Sequence, residues 1–165
     1  MSGFFKINNL ILSLVTCSLA LLLTVLFFQY VLALTPCKLC IWQRLPHFTV
    51  IIMGLLALVN SNFKQIVLNL CAIVMFSSVI LASYHVGIEY KFWPGPESCS
   101  GVNVSNTLNP ELFLEVLLQT PITRCDEITW SFLNVSMAGW NLLISCLLTI
   151  FWLIVARLVL RPARP

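Results

Sequence analysis

Marking the charged residues along the chain leaves four long apolar stretches, at about Asn9 to Leu34, Ile41 to Val59, Ile66 to Ile88 and Val135 to Leu160. Each is close to the ~20 residues a helix needs to cross ~30 Å of hydrocarbon, and the second is the shortest. The connections run short, short, long. Short loops join antiparallel neighbours, so the pattern predicts an all-α membrane protein, an antiparallel bundle of four transmembrane helices. The stretches occupy most of the chain, and residues 1–165 read as a single membrane domain with no separate soluble one. The first stretch exceeds the roughly 7–15 apolar residues of a signal peptide and ends in Leu34-Thr35-Pro36 without a small-residue cleavage site, so it reads as an uncleaved span.

Local signals refine the connections. Pro36 closes the first span, and the run Cys37-Lys-Leu-Cys40-Ile-Trp-Gln-Arg44 leads directly into the second. Pro46 follows a few residues into that helix, a position tolerated near a first turn and kinking further in. Within the long loop, Asn109-Pro110-Glu111 reads as an N-cap, a proline at the first helical position and an acidic first turn. The segment that follows, closed by Pro121, predicts a short amphipathic helix with Glu111 and Glu115 on one face. It lies either along the membrane surface or on top of the bundle.

Composition agrees with a membrane protein: 59% of residues are hydrophobic and 9% charged, against about 25% charged in soluble domains. Lys6, Lys64, Arg157, Arg161 and Arg164 fall on one side of four crossings, and Lys38, Arg44, Lys91 and Arg124 on the other. That margin places both termini and the Asn60–Gln65 turn in the cytoplasm. All six acidic residues lie between the third and fourth spans. The outer side then holds a short loop at residues 35–40 and a long one at 89–134. Trp42, Trp93, Trp130 and Trp140 fall near the outer boundary, as an aromatic belt does.

Four of the seven cysteines, Cys37, Cys40, Cys99 and Cys125, sit in or beside the outer loops, where an oxidising compartment preserves disulfides. Cys17, Cys71 and Cys146 lie in apolar runs and are expected only to pack. Cys37 and Cys40 form a C-x-x-C at a helix N-terminus, where unpaired N–H groups favour thiolate, as in redox pairs; structural zinc sites and plain disulfides share the spacing. Arg44 comes one turn after Cys40. It fits stabilisation of a Cys40 thiolate, donation to the carbonyl oxygen of an electron acceptor, or snorkelling to headgroups. His85, with Glu89 one turn on, fits hydrogen bonding to a bound ring, proton relay, or an ordinary interfacial histidine. His47 is three residues past Arg44 and a weaker candidate for the same cavity. Cys99 and Cys125 fit two roles: an exchangeable disulfide reaching outward, or a static staple across the loop. A scaffold with fixed loop staples, or zinc held by the four outer cysteines, are the rival readings.

The four spans, Cys-Lys-Leu-Cys followed at once by Trp-Gln-Arg, and the later cysteine pair resemble the DsbB family of disulfide bond formation proteins across essentially the whole chain. Tyr84-His85-Val86-Gly87-Ile88-Glu89, Trp93-Pro94-Gly95-Pro96 and Arg124-Cys125-Asp126-Glu127 carry the resemblance further. In the related vitamin K epoxide reductase group the loop pair precedes the helix-edge pair; here Cys37 and Cys40 come first. The resemblance implies a multi-pass protein of the bacterial inner membrane with periplasmic redox loops. It implies that a periplasmic DsbA-like thioredoxin-fold protein meets a Cys99–Cys125 disulfide, with Cys99 the site of the mixed disulfide. Electrons then pass to Cys37–Cys40 and on to a membrane quinone, ubiquinone or menaquinone, with Cys40 next to it and Arg44 and His85 contacting its ring oxygens. No haem, flavin or nucleotide motif is present, and neither a nucleic-acid partner nor a metal is expected.

Overall fold

The computed structural model describes residues 2–96, 99 and 124–160, so the helix expected between Asn109 and Pro121 lies outside the described residues. The chain forms α1 (Ser2–Tyr30), α2 (Lys38–Trp42), α3 (Arg44–Val59), α4 (Lys64–Glu89), a two-stranded hairpin of β1 (Ser131–Phe132) and β2 (Val135–Ser136), and α5 (Met137–Leu160). Lys6–Tyr30, Lys38–Val59, Lys64–Glu89 and Met137–Leu160 are long and apolar enough to cross a membrane, giving the expected four spans. The second has a mean hydropathy of 1.4 against 2.4–2.6 for the others. The polar residues that lower it are those that build the site described below.

Two breaks shape the outer end. α1 stops at Tyr30 rather than near Leu34, because Ala33 adopts a left-handed backbone (φ 54°) that turns the chain before Pro36. α2 and α3 meet at Gln43, three residues before Pro46. Without an N–H, Pro46 offers no donor to the Trp42 carbonyl, and its ring crowds that same oxygen. At the opposite end, the Asn60 side chain accepts from Asn62 N in the tight turn between α3 and α4 (3.1 Å). Lys64 is buried there, its Nζ donating to Asn8 Oδ1 of α1 at 2.8 Å.

α4 packs most extensively on α5 and then on α3, while α1 lies mainly against α3. The larger core cluster includes Ile11, Val15, Val50, Leu68, Met75 and Trp152, with Trp152 fully buried. Gly54 allows this close approach, since a side chain there would collide with Val15 and come within 3.1 Å of the Trp152 ring. Leu23, Phe27, Ile73, Phe76, Leu147 and Phe151 are exposed, which suits helices facing lipid. Cys71 is buried and Cys146 partly so, but Cys17, expected to pack, is exposed on α1.

At the outer end, Lys91 (φ 61°) reverses the chain after α4, and Phe92 N donates to Gly87 O at 2.8 Å. Trp93 then folds back over α4: its Nε1 donates to Tyr84 O at 3.0 Å, and its ring occupies the space a side chain at Gly87 needs. This clamp fixes the direction of the Pro94-Gly95-Pro96 run toward Cys99. Leu133 and Asn134 both have positive φ (52° and 61°), forming the two-residue turn of the hairpin. Ser136 caps α5 by accepting from Gly139 N at 3.1 Å.

Candidate functional site

Cys37 is the N-cap of α2, with extended backbone (φ −71°, ψ 168°) and its sulfur accepting from Cys40 N at 3.2 Å. The two sulfurs lie 2.7 Å apart, and His85 Nε2 is 3.7 Å from Cys37 Sγ. Cys37 is buried, and Cys40 is partly accessible. Three donors converge on one sulfur. The Cys40 thiol is the strongest influence, and together with His85 and the Cys40 N–H it outweighs burial, holding the Cys37 thiol well below its ordinary pKa. The two sulfurs are therefore placed to join as a disulfide once an acceptor takes two electrons. Cys37, Cys40 and His85 also bring three donor atoms within 4.8 Å of one another. Two thiolates on a tetrahedral zinc at ~2.3 Å would sit about 3.8 Å apart. The observed 2.7 Å is the spacing of partners rather than of co-ligands.

His85 is 2% exposed and held by α4. Gln43 Nε2 bonds its Nδ1 at 2.9 Å, while Glu89 Oε1, one turn on, stands 4.0 Å from Nε2. Glu89 instead accepts from Ser136 Oγ at 2.5 Å. The two ring nitrogens of His85 thus face Gln43 and Cys37, although its side chain lines the adjoining cavity. Gln43 continues inward: its Oε1 accepts from Asn141 Nδ2 at 3.0 Å, and Asn141 Oδ1 lies 3.0 Å from His47 Nε2. Burial of these amides in a membrane span is tolerated because each is bonded on both sides.

Arg44 shares with Cys40 the wall of a cavity of about 390 Å³, within the range of small-molecule sites. Its Nη1 donates to Gln29 Oε1 of α1 at 2.6 Å. Its other guanidinium N–H groups have no protein partner among the described residues. Phe28, Leu21 and Val25 from α1 and Ile144 from α5 make the rest of the wall largely apolar, and His47 and Trp130 also contribute.

Cys99 and Cys125 are joined in a disulfide, with Cα atoms 5.1 Å apart, and so are not available to a four-cysteine metal site. The sequence left them either an outward-reaching exchangeable pair or a static staple; here they are 2% and 1% exposed. They pack in one cluster with Cys37, Leu39 and Ile88, and Cys40 lies against it. The polypeptide around them is pinned by Cys125 N to Cys99 O (3.2 Å) and by an ion cluster. In that cluster Lys91 Nζ and Arg124 Nη2 approach Asp126 Oδ2 at 2.6 and 2.9 Å. Arg124 first, and Lys91 second, hold the Asp126 carboxyl far below the usual carboxylate range.

The sequence pointed to Cys37, Cys40, Arg44 and His85 individually, and the structure brings them to one end of the bundle with the second cysteine pair against them. It did not point to Gln29, Gln43, Asn141 or Ser136. The available signal was an amide or hydroxyl inside, or at the mouth of, an otherwise apolar span.

Four membrane-spanning helices with two cysteine pairs gathered at one end define a membrane thiol–disulfide protein. The profile of the family described as "Disulfide bond formation protein DsbB" matches residues 8–155. The chain belongs to that family and is a disulfide oxidoreductase with a role in disulfide bond formation. It is 35% identical over 127 residues to the "Disulfide bond formation protein B" of Aeromonas salmonicida (74% of this chain, 72% of the relative). It is 30% identical over 135 residues to that of a Shewanella species (78% and 75%). An uncharacterised protein of Rickettsia prowazekii is 31% identical over 148 residues (89% and 85%).

Proposed function

We propose that the protein reoxidises a periplasmic DsbA-like thioredoxin-fold partner and delivers the two electrons to a membrane quinone, from the bacterial inner membrane with both termini cytoplasmic. The observation that carries this reading is the common cluster of Cys37, Cys99 and Cys125 beside a cavity that Cys40 and Arg44 line. A partner thiolate attacks the Cys99–Cys125 disulfide, with Cys99 forming the mixed disulfide, and the partner's second thiol resolves it. The partner leaves oxidised, and Cys99 and Cys125 are left as a dithiol. That dithiol reduces the Cys37–Cys40 disulfide by the same exchange. His85 holds Cys37 as the leaving thiolate, and Cys40 faces the cavity.

The cavity suits a quinone head: its walls are mainly apolar, and Arg44 offers uncommitted N–H donors to a carbonyl oxygen. When bound, a quinone supplies an acceptor for two electrons and two protons. Such an oxidant is energetically required. A partner disulfide near −120 mV lies about 80 mV above a thiol pool near −200 mV, a deficit of roughly 3.7 kcal/mol for two electrons. The test is reduction of added quinone by purified protein supplied with reduced thioredoxin-fold partner. Cys37→Ser and Cys99→Ser are each expected to abolish turnover; equal turnover by Cys37→Ser and wild type would sink the reading.

A further inference from the structure

A single ring nitrogen faces two acids. His85 Nε2 lies 3.7 Å from Cys37 Sγ and 4.0 Å from Glu89 Oε1, and all three side chains line the cavity. The other nitrogen, Nδ1, is held by Gln43, whose amide serves either protonation state of the ring, because reversing its ends turns the donor into an acceptor. Nε2 can therefore take a proton on one side and give it up on the other. The Glu89 side chain is 6% exposed and ends α4. Its Oε2 accepts from Ser136 Oγ at 2.5 Å, which fixes the carboxyl, while Oε1 has no hydrogen-bond donor among the described residues. Among those residues its one ion-pair partner is His85. The other titratable or charged groups on the cavity wall are Cys40, Arg44, His47, Arg124 and Glu127. Arg44 is tethered to Gln29, and Arg124 to Asp126 and Glu127 at 2.9 and 3.3 Å. A carboxyl placed in a membrane span beside a histidine, with no lysine or arginine against it, fits a proton path.

We propose that Glu89 is the proton carrier of the cavity: it receives through His85 the proton that Cys37 gives up, and passes it to an oxygen of the quinone. This deepens the quinone reading and rests on it. When the Cys99 and Cys125 dithiol reduces the Cys37–Cys40 disulfide, two electrons and two protons reach that pair. Cys40 keeps one proton as a thiol. Cys37 ends as a thiolate, and the second proton crosses His85 to the Glu89 carboxylate. When the Cys37–Cys40 bond forms again, the quinone takes both electrons, the Cys40 proton and the Glu89 proton, and leaves with two hydroxyls. Glu89 is then a carboxylate once more. Protons and charge balance at each step, and the three side chains hold one negative charge throughout, on Cys37 or on Glu89. A second negative charge beside the first would be costly in a membrane span, because like charges sharing one site oppose each other. Glu89 thus lets Cys37 become an anion without adding to the charge buried in the bundle.

Infrared difference spectra of the full-length, quinone-free protein in detergent, reduced minus oxidised with a small dithiol, read the carrier directly. Reduction is expected to bring up the carbonyl stretch of a protonated carboxyl, and Glu89→Gln to remove it. A wild-type protein without that band, as when the proton stays on His85, or a band that survives Glu89→Gln, would overturn the proposal. Turnover with short-tail ubiquinone and menaquinone analogues gives the second readout. Glu89→Gln keeps an acceptor for Ser136 and is expected to lower kcat for quinone reduction by about 10- to 100-fold, the low end of proton-transfer catalysis. Its KM for the analogue and the first exchange, from partner to Cys99–Cys125, are expected to stay as in wild type. Glu89→Asp, which restores a carboxyl, should recover part of the rate. Equal losses in the first exchange and in quinone reduction would mark a structural role and overturn the proposal. If wild type reduces neither analogue, the quinone reading falls together with this one; quinone reduction that Glu89→Gln leaves unchanged removes this one alone.

Discussion

Replacing His85 with leucine isolates the group that faces Cys37 from across the bundle. The change removes the Nε2 donor 3.7 Å from the sulfur and leaves the Gln43 amide without its acceptor. Hydrogen bonds to charged groups contribute about 1.5–3 kcal/mol, and a contact of this length belongs at the lower end. At 1.36 kcal/mol per pH unit, the midpoint for forming the Cys37 thiolate should rise by about one unit. The sign is fixed by the direction of the native perturbation: Cys37 is held below an ordinary thiol, so thiolate persists to lower pH in wild type and is lost earlier on acidification in the variant. The assay is the pH dependence of Cys37 alkylation in protein with that pair reduced and Cys40→Ala as background in both arms. Removing Cys40 also removes the strongest donor to Cys37, so only the difference between the arms is read. Superimposable profiles would refute the claim that His85 stabilises the thiolate.

Arg44→Ala should raise the apparent KM for quinone, whereas Arg44→Lys should retain part of the affinity because charge survives and the planar fork is lost. Gln29→Leu, which frees the Arg44 guanidinium from its 2.6 Å tether, should give a smaller rise with little change in thiol exchange with the partner. Gly54→Ala should destabilise the bundle by about 1–3 kcal/mol in detergent unfolding, since the new methyl meets Val15. Asp126→Asn should increase the rate at which reductant reaches Cys99–Cys125. In wild type the same protection is expected to be full above the ordinary carboxylate pKa of about 3.9 and to fade as pH falls below it.

Apolar run length made the four spans legible, because a helix crossing hydrocarbon leaves little choice of composition. The ends were less legible. Ala33 in a left-handed conformation shortens α1, and Leu133-Asn134 builds a hairpin turn, yet none of these three residues advertises positive φ as glycine does. The thiol pair was legible from spacing, and Arg44 from its cost in a membrane span. Gln43 stood inside the quoted Trp-Gln-Arg run without a role, because the partner that gives it one, His85, is 42 positions away. Burial of Cys99 and Cys125 escaped the sequence for the same reason: among the described residues their apolar neighbours come from α2 and α4, and loop composition does not reveal it.

The division of the bundle into two unlike halves has a consequence for the cell. Both cysteine pairs gather at one end, and the other is closed by Ile11, Val50, Leu68 and the fully buried Trp152 packed over Gly54. That plug is an insulator. In the proposed topology, with the termini facing a reducing compartment, it would keep small thiols on that side from short-circuiting the Cys37–Cys40 pair, so that electrons leave through the cavity alone.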